Sequence, residues 1–167
     1  MKKIKGYFPQ WRLPQLQRTL DSLGDLSLKQ VRRYSLIVEQ GTGAGSYGIG
    51  ATNAKPGSAT ELEYRLSWQK NGWEYVCRQG ALLFFRGTGE LPADRGIAPY
   101  FEKKAKFLSH FRNWALVAAA LCLVVGYPME GFTVVRLGAV PLLIALVLSY
   151  LIGKYEEIAK QKDTAGS

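Results

Sequence analysis

The residues that come nearest to a chemical motif are glycines. Gly41-Thr42-Gly43-Ala44-Gly45-Ser46-Tyr47-Gly48-Ile49-Gly50 contains Gly-x-Gly-x-x-Gly at Gly43, Gly45 and Gly48. In nucleotide sites such glycines let the backbone approach phosphate, and Gly45–Gly48 also looks like a kinase glycine loop. The chemistry does not follow. A dinucleotide site needs a helix directly after the glycines, and Asn53, Lys55, Pro56 and Gly57 oppose one. A Walker-type loop needs Lys-Ser/Thr where Ile49 stands. A kinase needs a lysine strand, a catalytic loop and a metal-binding Asp, for which too little polar chain follows. The expectation is a flexible or bulged hairpin connection.

The remaining chemical groups are sparse. An enzyme at a membrane surface would have to draw on Asp21, Asp25, Glu61, Glu63 or Glu74, which lie scattered along the chain. One histidine and two cysteines are too few ligands for a His/Cys zinc site. No catalytic residue, metal or cofactor is called for, and no small-molecule ligand is indicated. His110 could sense pH, but its basic, aromatic surroundings suit interfacial packing better. Cys77 is in the polar part and Cys122 in a hydrophobic run, so both read as free thiols of a reducing compartment.

The elements that dominate the chain are two hydrophobic runs. Asn113–Met129 and Leu137–Gly153 are each 17 residues without a charge. At ~1.5 Å per residue each gives roughly 25 Å of helix, against a hydrocarbon core of ~30 Å. Tyr127, Phe132 and Arg136 at one end, with Trp114 and Tyr150 at the other, can make up the difference. Glu130–Arg136 is the expected turn of a transmembrane hairpin. Ala115, Ala118, Ala119 and Ala120 are placed to face Gly138, Ala139 and Ala145, with Pro141 a bend. Neither run holds Asp, Glu, Lys or His, so ion transport would require oligomerisation or a partner.

Charge orients the hairpin. The net charge is +9, of which +6 falls in residues 1–100. An anionic bilayer leaflet explains that balance more simply than nucleic acid does. Lys103, Lys104, Lys106 and Arg112, with Trp114, form the expected membrane-surface residues before the hairpin, and Lys154, Lys160 and Lys162 follow it. Arg136 alone marks the turn, so both termini are expected in the cytoplasm. Met1–Lys5 begins like a signal peptide, but Gly6, Pro9, Gln10 and Arg12 interrupt any apolar core, and no cleaved signal is expected. The tail from Lys154 starts as a polar helical extension and is expected to fray over Asp163–Ser167.

Residues 1–96 read as a cytoplasmic α+β domain, 97–112 as a basic interfacial helix, 113–153 as the hairpin and 154–167 as a tail. Lys2–Phe8 is an expected strand ended by Pro9. Pro14, Leu16, Leu20 and Leu23 give a helix stopped by Gly24. Leu26–Arg33 adds a helical turn, and Tyr34–Glu39 is a strand. Leu62–Gln69 alternates apolar and polar residues at period two, and Asn71-Gly72 suits a type I′ turn. That register pairs Trp68 with Tyr75 and Leu66 with Cys77, places Lys70 opposite Trp73, and puts Glu63 and Glu74 on the other face. The strand from Trp73 pauses at Gly80 and continues through Leu82–Arg86. The fold class is therefore a small α+β domain, an antiparallel sheet with one or two helices, before a two-helix hairpin.

Gly72-Trp73-Glu74-Tyr75-Val76-Cys77-Arg78-Gln79-Gly80, followed by Leu83-Phe84-Phe85-Arg86, resembles the signature of an uncharacterised bacterial membrane-protein family. Its members carry a small cytoplasmic α+β domain before transmembrane helices and are often encoded beside PadR-like regulators. The likeness spans roughly residues 2–112. Two features of the family are missing: a Lys-Gly-Trp closing its first helix, and a short helix before Gly-Trp-Glu-Tyr, for which Ser67–Asn71 leaves no room. The resemblance implies an inner-membrane protein in a regulatory setting and transfers no catalytic residue. The function expected is a membrane-anchored, non-enzymatic interaction protein. Trp68, Lys70, Trp73, Tyr75, Arg78 and Phe84 would bind a protein partner, with homo-oligomerisation as a further mode. The alternative is an oligomerising, pore-forming effector controlled by the N-terminal domain.

Overall fold

Pro14 opens a helix whose Leu16 and Leu20 are buried, and the strands that follow supply the surface those leucines need. The computed structural model describes residues 2–24, 26–41, 45–126 and 132–160. The chain forms two units, Met1–Tyr100 and Phe101–Ser167.

The first unit is α+β, with two three-stranded antiparallel sheets. One has the order β1 (Lys2–Lys5), β3 (Ser35–Gln40), β2 (Leu26–Arg32), and the other β4 (Ser46–Ala51), β6 (Leu82–Gly87), β5 (Trp73–Gln79). The edge strands β2 and β5 run beside one another. Helix α1 (Leu13–Asp21) follows a short 3-10 turn and ends before Gly24, which takes the left-handed φ of 54°. Tyr47 of β4 ties the sheets together: its hydroxyl donates to Leu26 O at 3.1 Å and accepts from Leu28 N at 2.8 Å.

Five expectations change. Leu26–Arg32 is strand β2, not a helical turn. A bulge between Leu28 and Gln30 interrupts the alternation, so Leu28 and Val31 are both buried at a spacing of three, which imitates a helix. The second half of the glycine run is not a hairpin connection: Ser46–Ala51 is a strand of the second sheet, while residues 42–44 lie outside the described residues.

Leu62–Gln69 belongs to helix α2 (Ala59–Lys70), so the strand, its type I′ turn and the pairing of Trp68 with Tyr75 are replaced. Residues two apart on a helix sit about 200° apart, and those four apart nearly overlie. Leu62 and Leu66 form the outer stripe, and Tyr64 and buried Trp68 the inner one. Two stripes on opposite faces thus give an apparent period of two. Ser58 caps the start, accepting from Glu61 N, and Asn71 closes the end before Gly72 at φ 79°. Helix α2 stands immediately before Gly72-Trp73-Glu74-Tyr75, where the alternation had left no room for one.

The strand from Trp73 does not continue past Gly80. The chain reverses at Gly80 (φ 63°) and pairs β6 antiparallel to β5. As the central strand of its sheet, β6 is covered on both faces, with Leu82, Leu83, Phe84 and Phe85 all buried.

The second unit contains most of α3 (Ile97–Gly126) and all of α4 (Phe132–Lys160). Ile97–Val124 and Ala139–Lys160 are long and apolar enough to cross a membrane. Gly96, at φ 63°, precedes α3, and the basic stretch 97–112 runs into the apolar run without a break. Phe132–Arg136, expected as turn, is already helical, while Tyr127 and Glu130–Gly131 lie outside the described residues. The polar extension after Lys154 is helical through Lys160, and the fraying expected over 163–167 falls outside the described residues.

Covered positions on α3 step by four and three through Phe101, Ala105, Leu108, Arg112, Ala115 and Ala119. On α4 they step through Ala145, Leu148, Ile152, Tyr155 and Ala159. That is the narrow stripe of a helix pair packed at heptad spacing. Phe101 and Tyr155 stack at 5.4 Å between ring centroids, joining the start of α3 to the end of α4 as an antiparallel pair. Of the small residues expected between the runs, Ala119 and Ala145 are buried and Ala115 half-buried, whereas Ala118, Ala120 and Ala139 are exposed. Away from the stripe the apolar side chains are open, Val124 to 71% and Leu146 to 67%.

Candidate functional site

The glycines of β4 lie beneath an aromatic cluster. Cross-strand pairing places Gly48 opposite Phe85 and Gly50 opposite Leu83. A Cβ on Gly48 would stand 2.7 Å from Cζ3 of Trp68, and one on Gly50 2.9 Å from Cζ2 of the same indole. The missing side chains therefore form the socket for Trp68. The indole lies flat on Phe85 at 4.1 Å and 6°, and Trp73 meets it edge-on at 5.8 Å. Leu83, Tyr64 and Tyr75 complete the cluster. Gly48 and Gly50 serve packing where a phosphate loop would need bare amides.

Beside this cluster lies a buried charge network, whose centre was among the scattered carboxylates. Glu61 is 1% exposed. Its carboxylate accepts from Gly57 N at 2.6 Å and from Arg65 Nη2 at 2.6 Å, and pairs with Arg78 Nη1 at 3.2 Å. Arg78 also donates to Ala54 O at 2.9 Å and to Gly80 O. Arg65 lies over the Tyr75 ring, 3.5 Å from its centroid. Burial alone would raise the Glu61 pKa, but the Gly57 amide, Arg65 and Arg78 outweigh it and hold the carboxyl below its ordinary value. An acid kept ionised and surrounded by donors is a poor proton donor, and this one fastens α2 to β5.

The other carboxylates stand apart. Glu63 and Glu74 are exposed, Asp21 accepts from Gln17 on its own helix, and Asp25 lies outside the described residues. Among the described residues no three His, Cys, Asp or Glu come together as a metal group. Cys77 and Cys122 are free. Burial pushes the Cys77 thiol up to about 11, far from a reactive thiolate at neutral pH.

Of the six residues expected to meet a partner, Trp68, Trp73 and Phe84 are buried in the core. The aromatic sheet face expected to meet a partner is covered by α2. Tyr75 and Arg78 are half-buried within the Glu61 network, and Lys70 alone is fully outward. What sequence reasoning missed is the outer stripe of α2, where Leu62 and Leu66 are 58% and 46% exposed. Beside it is a hollow of about 420 Å³ lined by Glu63, Leu66, Ser67, Gln69 and Lys70. Its signal was present as Ser58-x-x-Glu61, a helix start.

Comparison with family models, curated proteins and solved structures returns no match.

The residues expected at a membrane surface all lie on α3. Lys103, Lys106 and Trp114 are exposed and Lys104 and Arg112 half-buried. The Trp114 indole N–H donates to His110 Nε2 at 3.2 Å, which gives the histidine a local packing partner.

Proposed function

We propose that this chain is a membrane-anchored, non-enzymatic regulatory or interaction protein of the bacterial inner membrane, with both termini cytoplasmic. The observation that carries the reading is the exposed apolar surface of α3 and α4. Side chains such as Val117, Leu121, Leu143 and Val147 are half or more exposed outside the covered stripe, and lipid is the medium that stabilises them. Lys103, Lys104, Lys106 and Arg112 at one end of the pair, with Lys154 and Lys160, support cytoplasmic ends by the positive-inside rule.

The first unit then presents the partner-binding surface. With its indoles committed to the core, that surface is the outer stripe of α2, Leu62, Leu66 and Lys70. The resemblance around Gly72–Gly80 makes a PadR-like regulator the partner class to try first. Purification from a detergent extract at native expression tests this: a stoichiometric partner, lost on Leu66→Glu, is expected, and recovery of the protein alone counts against it.

An oligomerising, pore-forming effector is the second reading. Exposed Ala118 and Ala120 favour it, because small residues admit close approach of a second copy. It requires loss of membrane potential on overexpression.

A further inference from the structure

An aromatic–arginine cluster stands at the tip of the first sheet. Tyr34 sits in the β2–β3 turn, 64% exposed, and its ring stacks on Tyr7 at 5.5 Å. Arg33 lies 5.7 Å from both rings and donates to the Tyr7 hydroxyl at 3.3 Å. Arg12 lies 5.6 Å from the Tyr7 ring. Backbone bonds hold the pieces together: Gly6 N donates to Tyr34 O and Phe8 N to Arg33 O. Lys5, opposite Ser35 in the register, adds an exposed cation at the same end.

Among the described residues no carboxylate forms an ion pair with Lys5, Arg12 or Arg33. Among the described residues 2–40 the acids are Asp21, bonded by Gln17, and Glu39, paired with Lys29. Arg12 and Arg33, placed over the tyrosine rings at 5.6–5.7 Å, have N–H groups to offer phosphate oxygens, and the tyrosines supply amphipathic rings that favour a headgroup zone. We infer that the Tyr7–Arg12–Arg33–Tyr34 cluster is a docking surface for an anionic lipid bilayer, read through its phosphates. Charge complementarity selects this occupant over an apolar partner. Connectivity selects it over nucleic acid, because α3 tethers the first unit to any bilayer it crosses and keeps the surface at high effective concentration. The inference rests on the membrane reading above.

The test uses the full chain in lipid nanodiscs, with amide hydrogen exchange read over residues 5–8 and 31–36. Discs of phosphatidylcholine alone are compared with discs containing phosphatidylglycerol. Slower exchange in the anionic discs is expected, with protection falling roughly fivefold for each of Arg12→Gln and Arg33→Gln, the weight of one basic residue near such a surface. High salt, which needs no variant, should remove it too. Equal exchange in both discs overturns the inference while leaving the anchor intact. Protection by an added oligonucleotide, with none from anionic lipid, overturns it in favour of nucleic acid. A chain that stays in the aqueous phase and enters no disc overturns both the anchor and the docking surface.

Discussion

The indole of Trp68 and the ring of Phe85 lie parallel, 4.1 Å apart between centroids, over a strand that has glycine at the two positions beneath. This relationship explains why a glycine-rich segment forms a strand and why α2 has one buried face. It also gives Gly48, the last glycine of the Gly-x-Gly-x-x-Gly spelling, a packing role.

Gly50→Ala is expected to destabilise the first unit by about 1–3 kcal/mol, since the new Cβ would stand 2.9 Å from the indole and 2.4 Å from the Tyr64 hydroxyl. Trp68→Ala empties the socket and should cost about 3–5 kcal/mol. Urea unfolding of the detergent-solubilised chain, followed by aromatic fluorescence, reads both. Gly24→Ala is a control for backbone strain without a clash, because nothing lies within 4 Å of its Cβ position.

Glu61 makes stability depend on pH. Its folded pKa lies below the unfolded value, so its contribution is full above the unfolded carboxylate range and is lost as pH falls through the folded pKa. Glu61→Gln leaves Arg65 and Arg78 without their carboxylate. Its cost is expected to be about 3–5 kcal/mol at neutral pH, the usual scale for breaking a buried pair. Unfolding curves of the two proteins should converge as the pH is lowered.

Cys77 should resist alkylation in the folded chain at neutral pH and react once the chain is denatured. Burial suppresses both access and the thiolate. Mass spectrometry after iodoacetamide treatment separates the outcomes.

The two covered alanines of the helix pair should tolerate little. Ala119→Leu or Ala145→Leu overpacks the stripe and is expected to cost about 1–3 kcal/mol, whereas Leu146→Ala, on an open face, should be nearly silent in lipid. Thermal unfolding of the helices by circular dichroism in nanodiscs provides the comparison.

Local signals carried much of the fold. Pro14 with leucines at four and three marked α1, and Gly24 its end. The two apolar runs declared α3 and α4 by length and composition. What misled was geometry that only long-range contacts define. In α2, outward Leu62 and Leu66 and inward Tyr64 and Trp68 mimic a strand, although Ser58, Glu61 and Gly72 carry the signals of a helix. In β2 a bulge hides the alternation. For the candidate site, the aromatic residues were legible but their burial was not, since the lid over them is the very segment read as a strand. In the Glu61 network Arg65 stands at the local i+4 spacing, but Arg78 joins Glu61 and Ala54 through pairings that no local spacing records.

The central claim is that α3 and α4 hold this protein in a bilayer. Alkaline carbonate extraction of membranes from cells expressing the full chain, followed by flotation, tests it most directly. The protein is predicted to remain with the floated lipid, with tags at both ends accessible only from the cytoplasmic side. Recovery of folded protein in the carbonate supernatant would contradict the account.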